Sequence, residues 1–277
     1  MKKFPTILVL VLTALCASSQ AALITWDAGG GDGLWSTATN WDTDTLPMAG
    51  DTVNISNGDT VDFNSVVSGQ NLPNGVTINL MGNSTLTEPS VIRLNSSSIN
   101  VDAGSGLAGG FWDLNNGSLV FQDGATATMG NWENKGTNNF QFVLGAAGFS
   151  TLTPNTFRND GNNNGLTLAQ KMALATYEVD LASYTGGIGI ITLIDYTTDA
   201  TGLDDATFQN ATLNILNSGG YTANLQWNDT ADSVELNITA AAAIPEPSTV
   251  ISLGGFGMLG ALIFFVRRKK RAGAVAE

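Results

Sequence analysis

The chain has 277 residues, with 24 Asp and Glu against 11 Lys and Arg, and its formal net charge is −13. So negative a surface repels phosphate backbones, which argues against nucleic-acid binding. The absence of His excludes Ser-His-Asp and Cys-His catalysis and His-ligated zinc, and the single Cys16 leaves no cysteine pair for a disulfide or a metal site.

The first residues have the composition of a signal peptide. Lys2 and Lys3 precede an apolar run over residues 6–16, which is too short to span a bilayer. Small residues around Ala21 suit signal peptidase. We therefore predict a cleavable signal peptide over residues 1–22, with signal peptidase as a processing partner.

The last part of the chain has the pattern of a membrane anchor. Residues 248–266 carry no charge, and a helix of this length covers the hydrocarbon core of a bilayer. We predict one transmembrane helix there, preceded by Pro245, Glu246 and Pro247, which interrupt regular structure. A basic run follows the apolar segment, and the positive-inside rule keeps it in the cytoplasm. This run consists of Arg267, Arg268, Lys269, Lys270 and Arg271.

The order of these three elements, over about Ala243 to Arg271, resembles the PEP-CTERM sorting signal. The resemblance implies that an exosortase-type membrane enzyme recognises the Pro-Glu-Pro sorting motif. It implies further that the apolar run is a transient anchor and that the basic run is a cytoplasmic stop signal. Proteins of that family are released or transferred to the cell surface and are associated with extracellular polysaccharide, so the resemblance implies extracellular polysaccharide as a candidate partner.

Between the two ends the sequence predicts an all-β protein. Short segments alternate apolar and polar residues, as in residues 76–80, 177–181 and 234–238, which gives each strand one buried and one wet face. Turns rich in Gly and Asn separate them. The alternation alone fits either a sandwich or a solenoid, because no fixed repeat period is clear.

Strand length favours a different architecture for each half. The short strands and Asn, Ser and Thr turns before residue 150 favour a β-solenoid-like region over residues 23–155. Longer segments such as 189–195 favour an antiparallel, β-sandwich-like region over residues 156–240. Residues 166–175 have helical composition. The sorting tail occupies residues 243–271.

The N-terminal opening resembles that of repetitive β-rich surface proteins, including autotransporter-type passenger domains. The resemblance rests on residues 26–35 (WDAGGGDGLW), Asn40 with Trp41, and residues 47–51 (PMAGD). It implies the start of a β-solenoid and no chemistry. Trp26, Trp35 and Trp41 could instead form an aromatic platform for sugar rings, although large aromatic side chains more often contribute buried area and would shield the open end of the first coil.

Two further patterns are candidate sites. Residues 160–165 (DGNNNG) match the first half of a calcium loop, but Lys171 occupies the position of its bidentate Glu, so an Asn/Gly turn is favoured. Paired carboxylates are the remaining catalytic device. The sequence contains Asp204 with Asp205, Asp42 with Asp44, and Glu178 with Asp180, while the central cations Arg93, Lys135, Arg158 and Lys171 form no motif.

These observations predict a non-catalytic exported surface or extracellular-matrix protein with no catalytic residue, metal or cofactor. The alternative is a carbohydrate-binding or polysaccharide-degrading protein that is exported by the same route.

Overall fold

The structure is a computed structural model that describes residues 21–63, 72–146, 152–157, 168–196 and 211–240. It contains one helix, α1 (Leu168–Ala173), and a 3-10 turn at Ala38–Asn40. The strands are β1 (Leu23–Thr25), β2 (Thr52–Ile55), β3 (Thr60–Asp62), β4 (Thr77–Leu80), β5 (Thr85–Asn95), β6 (Ser98–Val101), β7 (Gly106–Asn115), β8 (Ser118–Phe121), β9 (Thr126–Asn134), β10 (Asn139–Val143), β11 (Leu152–Phe157), β12 (Thr176–Asp180), β13 (Gly189–Asp195), β14 (Thr212–Leu216), β15 (Tyr221–Asn228) and β16 (Ser233–Ala240).

The predicted signal peptide (1–22, except its last two residues), transmembrane helix (248–266) and sorting motif lie outside the described residues. Across the residues that are described, no helix is long and apolar enough to cross a membrane. The chain divides into two compact units, Met1–Thr239 and Ala240–Glu277, and all the strands except the last residue of β16 lie in the first.

The strands form two eight-stranded sheets. The first sheet has the order β1-β2-β4-β6-β8-β10-β12-β14, with every neighbouring pair parallel. The second has the order β15-β16-β13-β11-β9-β7-β5-β3. From β2 to β15 the chain alternates between the sheets, so each coil there contributes one strand to each sheet and parallel neighbours are joined through the opposite sheet. The predicted β-solenoid is confirmed, and its regular part comprises about four turns.

A short repeat explains the first sheet. Apart from β1 and β10, its strands begin with Thr or Ser followed by an apolar residue, and in TVNI, TINL and SINV of β2, β4 and β6 a polar and a second apolar residue come next. The apolar positions point inward and are fully buried, for example Val53, Ile78 and Ile99, which lie in register. Burying such side chains contributes about 1.5–3 kcal/mol each. Equivalent residues are 20 or 21 positions apart in the regular coils and 25 apart between β2 and β4.

The antiparallel sandwich predicted for the second half is not clearly shown. Strands β12 and β14 continue the parallel first sheet, so the solenoid extends beyond residue 155. Antiparallel pairing occurs between β13 and β16, and β15 is the neighbour of β16 across a four-residue turn, too short for a parallel connection. The helical composition predicted over 166–175 corresponds to the single turn-and-a-half of α1.

Candidate functional site

The three N-terminal tryptophans are buried and do not form an open sugar platform. Trp26 and Trp41 are 1% and 0% exposed, and Trp35 is 6% exposed. The ring of Trp41 packs edge-on against Trp26 and Trp35, with centroids 4.9 and 4.7 Å apart. The Trp41 indole also donates a hydrogen bond to the Trp35 carbonyl oxygen (3.0 Å). The three tryptophans therefore form part of the hydrophobic core beside β2 and β3, as expected for residues that shield the first coil.

The polar residues of the same opening hold its loop. The carboxylate of Asp32 accepts hydrogen bonds from the Thr37 hydroxyl (2.5 Å), the Leu34 amide (3.0 Å) and the Asn40 side-chain amide (2.6 Å). These bonds, that of Thr37 above all, lower the pKa of Asp32 below its ordinary value. Asn40 is itself fully buried and also donates to the Leu34 carbonyl (2.9 Å). These hydrogen bonds of Asp32 and Asn40 hold the loop of the opening in place.

A charged cluster that the sequence did not reveal lies on the second sheet. Arg93, Asp113 and Glu133 are in register on β5, β7 and β9. The Asp113 carboxylate lies 3.1 Å from Arg93 Nε and 2.8 Å from Lys135 Nζ. Glu133 lies 3.0 Å from the same Lys135 ammonium and 3.8 Å from Lys171 Nζ. Three of the four central cations therefore form ion pairs with two acids that are about 20 residues apart in sequence.

The charged cluster neutralises buried charge. The side chains of Asp113, Glu133 and Lys171 are 4%, 0% and 1% exposed, whereas those of Arg93 and Lys135 are 35% exposed. Burial alone would lower the pKa of Lys135, but its hydrogen bonds to Asp113 and Glu133 outweigh it and raise that pKa. The arrangement stabilises ionised side chains and presents neither carboxylate to solvent. A Trp-Asp and Trp-Glu repeat, at residues 112–113 and 132–133, is the sequence signal that could have revealed the register.

The other predicted candidates are dispersed. The calcium-loop residues 160–165, Arg158 and the Asp204 and Asp205 pair lie outside the described residues. Lys171 lies beside Glu133. Glu178 accepts a hydrogen bond from Asn139 (3.1 Å), and Asp180 accepts two from Asn217. Within the described ranges, no group of three or more acidic or other metal-ligating side chains could hold a metal ion.

The part of the first sheet from β2 to β10 forms a second feature, which is uncharged. Strands β2, β4, β6, β8 and β10 contain no charged residue. Their first positions form a half-buried polar row, which we call the hydroxyl row. Its members, in register, are Thr52, Thr77, Ser98, Ser118, Asn139, and then Thr176 of β12 and Thr212 of β14.

A groove of about 420 Å³ lies along the hydroxyl row, where the chain passes from the second sheet to the first. The connections there have two residues between β5 and β6 and between β7 and β8, but four between β9 and β10. The groove is lined by Asn116 and Thr137 from the turns and by Ser118, Asn139, Thr176 and Glu178 from the strands, among others.

Comparison with known proteins identifies the C-terminal tail. Residues 243–270 match the family model described as the PEP-CTERM protein-sorting motif. The chain matches no curated protein and no solved structure, and the resemblance of its opening to autotransporter-type proteins is not shown. The chain therefore carries a PEP-CTERM sorting motif over residues 243–270, which marks an exported protein that is processed by exosortase.

Proposed function

We propose that the chain is a non-catalytic surface or extracellular-matrix protein, whose β-solenoid is displayed outside the cell after sorting. The observation that carries this proposal is the sorting motif over residues 243–270, which follows almost directly after β16 in the chain. Strand β16 ends at Ala240, so little sequence separates the folded region from the processing site. In this proposal the sorting tail directs the β-solenoid to the outside of the cell, and the β-solenoid carries out the protein's role there.

The charged cluster supports a non-catalytic role. A general acid or base must reach the proton that it transfers, and a catalytic carboxylate must therefore be accessible to substrate. Asp113 and Glu133 are buried under cations, in an arrangement that stabilises the sheet.

The alternative of a polysaccharide-degrading enzyme requires two carboxylates that face each other across an open cleft. Of the acid pairs predicted as candidates, Glu178 and Asp180 are engaged by side-chain amides of Asn139 and Asn217. Asp42 accepts a hydrogen bond from the Thr25 amide at 3.0 Å. These contacts favour structural roles for the acids, and we therefore retain the non-catalytic proposal.

Replacing the sorting motif tests the proposal. The triple variant Pro245→Ala, Glu246→Ala, Pro247→Ala, expressed in the native host, is expected to remain in the membrane fraction with its tail attached. The matched control Ala242→Ser lies just outside the motif and is expected to reach the surface or medium like the wild type. Surface delivery of the triple variant would contradict the proposed route. Enzymatic turnover of a polysaccharide by the purified protein, abolished by changing one acid, would contradict the non-catalytic role.

A further inference from the structure

We propose that the groove beside the hydroxyl row binds a neutral polysaccharide chain. This inference rests on the proposed surface or matrix role, since it names the polymer that the displayed solenoid would hold. Its physical basis is the contrast between one uncharged face and a strongly acidic chain.

The charge distribution selects the ligand. The chain has 24 acidic residues, yet five consecutive strands of the first sheet have none, and Glu178 is the one ionisable residue among those that line the groove. The net charge of −13 disfavours a polyanion such as a uronic-acid polymer or a nucleic acid. A groove without cations also offers no partner for sulfate or phosphate. A neutral ligand rich in hydroxyl groups fits this surface.

The hydrogen-bonding groups in the groove are available to such a ligand. The hydroxyls of Ser118, Thr137 and Thr176 make no hydrogen bond to the described part of the protein, although all three line the groove. By contrast, the hydroxyl of Ser98 is within 3.1 Å of that of Thr77. A hydroxyl both donates and accepts, so each of the three can pair with a sugar hydroxyl in either sense.

The spacing of the groups suits a polymer. Ser118, Asn139 and Thr176 lie in register on the neighbouring strands β8, β10 and β12. Adjacent strands are about 4.8 Å apart, which is close to the length of one sugar unit in an extended glycan. A glycan chain lying along the solenoid axis therefore meets one polar side chain from each coil. Glu178, held by Asn139, accepts a hydrogen bond from the sugar at the end of this row.

Affinity electrophoresis of the full chain in nonionic detergent tests the inference. The gels contain hydroxyethyl cellulose, dextran or galactomannan as neutral probes, and alginate as an acidic one. We expect retardation in at least one neutral gel and none in alginate. Ser118→Glu and Thr176→Glu, made separately, should each weaken retardation about tenfold or more. The matched control Thr128→Glu adds the same charge on the exposed face of the second sheet and should leave retardation unchanged.

Near-ultraviolet circular dichroism of the six tryptophans shows whether each variant is folded. Two groove positions are used so that misfolding of one variant leaves the other informative. Migration unaffected by every neutral probe overturns the inference, as does equal weakening by Thr128→Glu or retardation in alginate alone. These outcomes leave the sorting proposal intact, because that proposal is judged by cellular location and not by glycan binding.

Discussion

Asn100 donates a side-chain hydrogen bond to Oδ1 of Asn79, at 2.8 Å, in the register that pairs β6 with β4. Asn79 in turn donates to Oδ1 of Asn54 on β2 at the same distance. Asn79 therefore donates its side-chain amide to one neighbouring coil and accepts at its carbonyl oxygen from the other. The ladder therefore requires that the coils stack in one register.

Replacing the side-chain amide of Asn79, the central residue of the ladder, should disrupt the ladder. Asn79→Asp cannot donate to Asn54 and places two oxygens face to face, so we expect a loss of about 1–3 kcal/mol in unfolding free energy. Asn214 occupies the same strand position on β14 and is exposed, and Asn214→Ser, which adds no charge opposite Glu178, should change stability by less than about 0.5 kcal/mol. Guanidinium unfolding followed by tryptophan fluorescence measures both. Equal effects of the two substitutions would contradict the role of the ladder.

The charged cluster predicts unequal effects of its two lysines. Lys171→Met leaves Glu133 buried with less compensation, and we expect a loss of about 3 kcal/mol. Lys135→Met removes an ammonium that is one-third exposed, so solvent screening should limit the loss to about 1 kcal/mol. The same unfolding measurement compares them. A larger loss for Lys135→Met would show that the exposed cation is the main stabilising partner.

Gly109 marks a close approach between β7 and β5. Its φ is +116°, and a Cβ there would lie 2.1 Å from the carbonyl oxygen of Glu88. Gly109→Ala should therefore cost at least about 2 kcal/mol, because both the backbone conformation and the available space oppose the methyl group. Gly220 has a φ of +91° with nothing within 4 Å, so Gly220→Ala is the matched control that isolates the steric part. Similar melting temperatures for the two variants would contradict the close packing.

Glu88 should give the protein a distinct pH dependence. Burial, assisted by the nearby Asp62, raises the pKa of Glu88 above its ordinary value of 4.5. The folded protein thus retains the proton of Glu88 to higher pH than the unfolded chain does. The contribution of Glu88 to the free energy of unfolding therefore falls as pH rises from 4.5 through the raised pKa.

Glu88→Gln removes that contribution. Relative to the wild type, the variant should gain stability as pH rises from 4.5 through the raised pKa of Glu88. When the free energy of unfolding is measured across this pH range, the curves of the wild type and of Glu88→Gln should converge at the acid end. Parallel curves for the two proteins would mean that Glu88 titrates alike in the folded and unfolded chain.

Local patterns predicted the strands, turns and solenoid, because alternation and Asn/Gly turns are set by neighbouring residues. The stacking register was not predicted, since the repeat occupies only four residues per coil, as in TINL and SINV. Its spacing is also irregular, with 20 or 21 residues in the regular coils, 25 between β2 and β4, and the distance from Asn139 to Thr176 between β10 and β12. The antiparallel pairing of β13 with β16 has no local signal either. It depends on partners about 40 residues apart.

The candidate sites likewise include features that local sequence predicts and features that depend on the stacking register. Burial of Trp26, Trp35 and Trp41 agrees with the general tendency of large aromatic residues. The charged cluster required Asp113 and Glu133 to be placed on adjacent coils, which only the register reveals. The groove is lined by residues from four neighbouring coils, and no single segment of sequence shows that they lie together.

The most direct test of the sorting account is the intact mass and cell fraction of the protein from its native host. The account predicts an extracellular or surface chain that begins near Ala22 and ends near Pro245 to Pro247. A chain that keeps residues 248–277 and stays in the membrane fraction would contradict exosortase processing and indicate a permanently anchored protein.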